Sequence, residues 1–77
     1  SEIKAQAANE LGVLYSRQNK LQEAEYYYKQ AVEQKHVLKT RALAANNLGH
    51  FYEKQNKLQE AKQYYNQAAE QNDNVEI

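Results

Sequence analysis

The chain contains no cysteine, proline, methionine or tryptophan, and only two glycines, Gly12 and Gly49. Without cysteine there is no disulfide framework, no thiolate chemistry and no indication of the redox compartment. Without proline, and with so little glycine, no strong helix breaker interrupts the chain. An excess of charge of one sign is also missing, since ten Lys plus Arg balance ten Asp plus Glu. A chain of zero formal net charge has no global field to draw it to nucleic acid or to acidic membranes. No apolar run approaches the roughly 20 residues of a membrane-crossing helix, and none forms a signal-peptide core. These absences make the cytoplasm the expected location.

Reactive groups are equally scarce. The hydroxyl residues of the aliphatic kind are Ser1, Ser16 and Thr40, none of which neighbours a histidine in sequence. Ser16 and His50 could meet across a groove, but no acid is placed to orient such a pair. His36 and His50 are the two histidines, 14 residues apart. Metal binding needs more convergent ligands than that, so no metal is expected. No glycine-rich loop cradles a phosphate, and no cofactor is expected. The chain is therefore not expected to be an enzyme.

What is present is helix-forming material. Ala, Leu, Gln, Glu and Lys dominate a chain of 77 residues, of which 42% are apolar. That suffices for one small packed domain, and such a chain buries only about 60% of the surface its unfolded form exposes. It begins at Ser1 rather than Met, which fits a trimmed or excised chain.

The chain also aligns to itself without a gap. Residues 8–24 read ANELGVLYSRQNKLQEA, and residues 45–61 read ANNLGHFYEKQNKLQEA. Leu11 and Leu48, Ala24 and Ala61, Tyr28 and Tyr65, and Ala31 and Ala68 are each separated by 37 positions. The first copy spans 5–38 and the second 42–75, within a single unit of residues 1–77. Leu11, Gly12, Tyr15, Ala24, Tyr28 and Ala31 form one set of repeated positions. Leu48, Gly49, Tyr52, Ala61, Tyr65 and Ala68 form the other.

This double pattern resembles the tetratricopeptide repeat, with six positions agreeing twice in register. The resemblance implies an all-α fold of tandem antiparallel hairpins, four helices in a right-handed α-solenoid, acting as a protein–protein interaction scaffold. Two departures stand out. Ala8 and Ala45 replace the usual aromatic before the Leu, and His36 and Asp73 stand where the usual Pro would be. The period of 37 exceeds the family's usual value of about 34. Longer repeats of this kind resemble those of kinesin light chains and bacterial peptide-sensing regulators. Near-identical copies are also what a designed or consensus-like sequence would have.

The residues argue the same fold independently. Ala8, Leu11 and Tyr15 share one helical face, and Ala24, Tyr28, Ala31 and Val32 form a second stripe. Asn19 tolerates the left-handed conformation that ends a helix, and Asn56 repeats it. Helices are predicted over 2–17, 21–37, 41–54 and 58–71, with Ser1 and Thr40 as N-caps. Gly12 and Gly49 lie mid-helix, which implies a close approach between helices, with Ala24 and Ala61 as the facing small residues. Residues 37–41 contain neither Pro nor Gly. They either turn or fuse the second and third helices, and fusion would swap hairpins between two chains. Residues 72–77 are expected to fray.

The resemblance implies that the first helix of each hairpin lines a concave, peptide-binding groove. Its candidates are Gln6, Asn9, Val13, Ser16 and Arg17, then Leu43, Asn46, His50, Glu53 and Lys54, with Asn47 beside them. Asn9 and Asn46, one repeat apart, could pair with the backbone of an extended peptide, since an amide both donates and accepts. The plainer reading is ordinary solvated amides in a chain with 18 Asn plus Gln. A carboxylate clamp of the kind that grips chaperone tails is not expected. Only Asn47 fits it, while Gln6 replaces a lysine and Glu10 an asparagine.

Among the tyrosines, Tyr28 and Tyr65 are assigned to the core and Tyr27 and Tyr64 to the stacking of repeats. Tyr26 is placed on the outer face. Lys35, His36, Lys39 and Arg41 form a basic cluster too small for a nucleic-acid footprint. Each repeat of a solenoid buries its face on a neighbour, and about three repeats are usually needed. The surface around Tyr64, Ala68 and Ala69 is therefore expected to be partly uncovered. A rival to groove binding follows, in which the chain is a structural module that self-associates through its end faces.

Overall fold

In the computed structural model, which describes residues 2–34 and 38–76 and the side chains up to residue 70, the helix-forming composition resolves into four helices. They are α1 (Glu2–Arg17), α2 (Leu21–Val32), α3 (Leu38–Lys54) and α4 (Leu58–Glu76). Two of the three turns are set by asparagine. Asn19 and Asn56 both have φ of 62°, the left-handed region that Asn enters more readily than other residues bearing a side chain. Around Asn19 the Lys20 amide donates to the Tyr15 carbonyl at 2.9 Å and the Asn19 amide to the Ser16 carbonyl at 3.0 Å. Lys57 to Tyr52 and Asn56 to Glu53 repeat both bonds. This is the Schellman arrangement, which satisfies the last carbonyls of α1 and α3. Its usual apolar clasp is supplied here by Lys20 lying over the Tyr15 ring and Lys57 over the Tyr52 ring, both at 5.9 Å.

The third turn differs from expectation. The second helix stops at Val32 rather than residue 37, and Glu33 and Gln34 are outside it. The fused, swapped arrangement is thus not adopted, because α3 packs on α1 and α2 of its own chain. Arg41 holds the break, its Nε donating to the Val32 carbonyl at 2.6 Å. A cationic side chain on the terminal carbonyl satisfies a group the helix leaves open. Thr40 does not cap α3; it lies inside the first turn of a helix that starts at Leu38, and it is buried. The fourth helix continues to Glu76 instead of fraying from residue 72. Ser1, Lys35, His36 and Val37 lie outside the described residues, so the Ser1 cap and half of the basic cluster, Lys35 and His36, fall outside them too.

The hairpins α1–α2 and α3–α4 pack antiparallel, and α3 is the element that joins them. Leu48 on α3 is fully buried, among Ala24, Tyr28, Ala31, Val32, Ala44, Ala45, Phe51, Tyr52 and Ala61. The Phe51 ring touches Tyr28 across the hairpins and Tyr52 along its own helix, with centroids 5.5 and 5.6 Å apart. Such tilted aromatic pairs add to the area they bury.

The mid-helix glycines admit a ring rather than an alanine. A Cβ on Gly12 would lie 2.6 Å from Cδ1 of Tyr28, and one on Gly49 would lie 2.9 Å from Cδ1 of Tyr65. The close partners are therefore Tyr28 and Tyr65, not Ala24 and Ala61. Tyr27 and Tyr64 are half-buried, but within their own hairpins. They stack on Tyr15 and Tyr52 with centroids 5.6 and 5.8 Å apart.

Candidate functional site

The parallel first helices, α1 and α3, leave a groove between them in which two depressions lie in series. One is lined by Glu2, Gln6, Asn9, Glu10, Lys39, Thr40 and Leu43 and encloses about 290 Å³. The other is lined by Val13, Ser16, Arg17, Tyr28, Asn47, His50, Phe51 and Lys54 and encloses about 210 Å³. Between them stands a hydrogen bond in which Asn47 Nδ2 donates to Asn9 Oδ1 at 3.1 Å. A side-chain pair half shielded from water in this way fixes the register of α1 against α3.

Of the residues singled out in the sequence, Val13, Ser16, Arg17, Asn47, His50 and Lys54 meet around one depression, and Gln6, Asn9 and Leu43 line the other. Asn46 is not with them. It lines a larger trough between α3 and α4, with Leu43 shared between the two surfaces. The two asparagines related by the repeat thus stand in different settings. Asn9 is half-buried and bonded to Asn47, whereas Asn46 is exposed. Glu53 also turns away from α1, and its Oε1 accepts from the Tyr65 hydroxyl at 2.8 Å.

Charge is unevenly distributed along the groove. Glu2 and Glu10 flank its first half, moderated by Lys39, while Arg17 and Lys54 flank the second. The floor of the second half is apolar, formed by Val13, Tyr28 and Phe51. Burial pushes the Tyr28 phenol above its ordinary pKa, while the hydrogen bond from Ser16 and the charge of Arg17 oppose that rise. Ser16 is engaged with Tyr28 there. Among the described residues no group of three or more His, Cys, Asp and Glu is placed to hold a metal ion, and no helix is long and apolar enough to cross a membrane.

Two polar pairs escaped the sequence reading. The Tyr52 hydroxyl donates to Glu25 Oε2, tying α3 to α2 across the hairpins. That bond holds the Glu25 carboxyl below its usual value, with burial opposing and Lys29, 3.6 Å away, assisting. Burial, together with the bond to Glu25 and its charge, raises the Tyr52 phenol above its ordinary range. The second pair is Tyr65 with Glu53, which repeats the spacing of Tyr28 with Ser16. The shared offset of 12 was a legible signal for it, because the tyrosine that packs on each glycine reaches the residue four beyond that glycine.

Residues 5–33 match a family model described as tetratricopeptide repeat, and residues 42–74 match a second model of the same description. No curated protein and no solved structure matches the chain.

Proposed function

This chain belongs to the tetratricopeptide repeat family, whose repeats generally mediate protein–protein interaction, and on that premise we propose that it binds an extended peptide along the groove between α1 and α3. The observation that carries the reading is the convergence of Val13, Arg17, Asn47, His50 and Lys54, from two helices, around a single depression with an apolar floor. Successive side chains of an extended peptide point to opposite sides. One apolar side chain enters the floor, and its neighbours meet the cationic rim. Acidic side chains therefore suit the Arg17–Lys54 end, and basic ones suit the Glu2–Glu10 end. Exposed charges of this kind select orientation and speed encounter more than they add affinity.

Two synthetic peptides of identical composition test this, with glutamate and lysine blocks placed on opposite sides of a central leucine. In an amide chemical-shift titration, the peptide whose charge order fits perturbs Val13, Arg17, Asn47, His50 and Lys54. Arg17→Glu combined with Lys54→Glu weakens it by about tenfold or more, and Asn46→Ala leaves it unchanged. Perturbations scattered away from α1 and α3, or none with either peptide, would overturn the groove reading.

A further inference from the structure

We propose that a second copy of this chain docks head to tail, with the outer face of its α1 seated in the trough between α3 and α4. The docked helix repeats between molecules the contact that α3 makes with the first hairpin. This surface adjoins the groove proposed above, with which it shares Lys39 and Leu43.

The 37-residue shift is the ruler. On α3, Thr40 and Phe51 are each 4% exposed, and Ala44 is fully buried. Their counterparts on α1 are Ile3 at 80%, Leu14 at 48%, and an exposed Ala7. Leu48 is fully buried, and its counterpart Leu11 only half so. The receiving side shows the same contrast. Tyr28 and Val32 are buried under α3, whereas their counterparts Tyr65 and Ala69 are half-buried and exposed. Tyr65 and Ala69 line a trough of about 880 Å³ with apolar Leu38, Ala42, Leu43 and Ala68. Two apolar surfaces that are open here thus correspond, position by position, to two that are buried against each other within the chain.

The polar groups carry over as well. Asn47 donates to Asn9 inside the chain; the counterparts are Glu10 and Asn46. Asn46 has an amide to donate and Glu10 a carboxylate to accept, so donor and acceptor exchange sides but the bond is kept. Tyr52 donates to Glu25; the counterparts are Tyr15 and Lys62, where the ammonium donates to the phenol oxygen. Both of these polar pairs therefore have a chemically acceptable equivalent in the intermolecular contact. A contact between two different faces is heterologous, so it adds further copies instead of closing at two.

Sedimentation velocity over a concentration series tests the docking with two variants at exposed positions, each first verified to be helical by circular dichroism. Leu14→Glu spoils the α1 face and leaves the trough intact, while Ala69→Glu spoils the trough and leaves α1 intact. The unaltered chain is expected to grow in mass with concentration beyond a dimer. Each variant alone should be monomeric, with association weakened by about tenfold or more. An equal mixture of the two variants should form a heterodimer and stop there, because one good α1 face and one good trough remain. A closed dimer of the unaltered chain, a monomer at high micromolar concentration, or a mixture that stays monomeric would each overturn the proposal.

Discussion

Adding one methyl group at Gly12 or at Gly49 should have different consequences, although the two positions are repeats of one another. In a helix interior, Gly→Ala alone stabilises by about 1 kcal/mol. Against this stands the tyrosine ring. At Gly12 the new Cβ would lie 2.6, 2.8 and 2.9 Å from three ring atoms of Tyr28; at Gly49 the corresponding distances to Tyr65 are 2.9, 3.0 and 3.1 Å. An ordinary carbon–carbon contact lies near 3.5–4.0 Å, so the Tyr28 ring must retreat by about 1 Å and the Tyr65 ring by rather less. Tyr28 has little room to retreat, since it is only 4% exposed, meets the smaller depression of the groove merely as its floor, and has the Phe51 ring 5.5 Å away. Tyr65 is half-buried and borders the open trough. Overpacking costs about 1–3 kcal/mol where neighbours cannot move. With the upper part of that range, about 2–3 kcal/mol, applying at the enclosed Tyr28 ring, Gly12→Ala should lose about 1–2 kcal/mol net, and Gly49→Ala should stay within about 0.5–1 kcal/mol of the parent chain. For a domain of this size each kcal/mol corresponds to roughly 4–8 °C in Tm. Thermal and urea unfolding followed by circular dichroism at low protein concentration, where self-association is weak, measures both. A Tyr28→Leu background should relieve much of the Gly12→Ala cost, a coupling that a double-mutant cycle isolates. The reasoning fails if Gly12→Ala is as stable as the parent, or if Gly49→Ala is the more damaging of the two.

Other outcomes follow from the same contacts. Asn19 at φ 62° should be replaceable by Gly without loss, whereas Asn19→Ala should cost about 1 kcal/mol in urea unfolding, since alanine lacks asparagine's tolerance of that conformation. Leu48→Ala should cost about 2–4 kcal/mol and Leu11→Ala clearly less, because only Leu48 is fully enclosed and would leave a cavity; equal losses in unfolding midpoint would contradict the burial. Tyr52 and Glu25 should shape both flanks of the pH profile. The Glu25 carboxyl is lowered from 4.5, so its contribution is present above that value and is lost as pH falls through the folded one. The Tyr52 phenol is raised from 10.0, so its contribution is present below that value and is lost as pH climbs towards the folded one. Tyr52→Phe should flatten both slopes of the urea midpoint against pH, and unchanged slopes would refute the assignment.

Features that depend on one residue and its own backbone were legible in the chain. The two asparagine turns, the pair of hairpins and the strict correspondence of copies follow from turn chemistry, helix propensity and hydrophobic spacing, all of which act over a few residues. The unusual glycines announced a close approach, but which side chain filled the space was a tertiary matter. Tyr28 and Tyr65 fill it because their rings project from the facing helix onto the bare backbone. The end of α2 was likewise out of reach. Residues after Val32 are acceptable in a helix, yet the helix stops, because α3 gains more by folding back over Ala31 and Val32 with Arg41 holding the last carbonyl.

The groove shows the same division. That α1 and α3 would line it followed from the repeat, and so did six of the residues that meet there. That Asn9 would bond Asn47, leaving Asn46 on another surface, did not follow. A periodic sequence assigns equivalent positions equal status, whereas the tertiary structure covers one copy with its neighbour and leaves the other open. By itself, then, the sequence determined the helices, their asparagine stops and the existence of two matching hairpins. Only the tertiary structure decided which members of each matched pair are buried, because burial depends on the neighbour that is present and not on the residue.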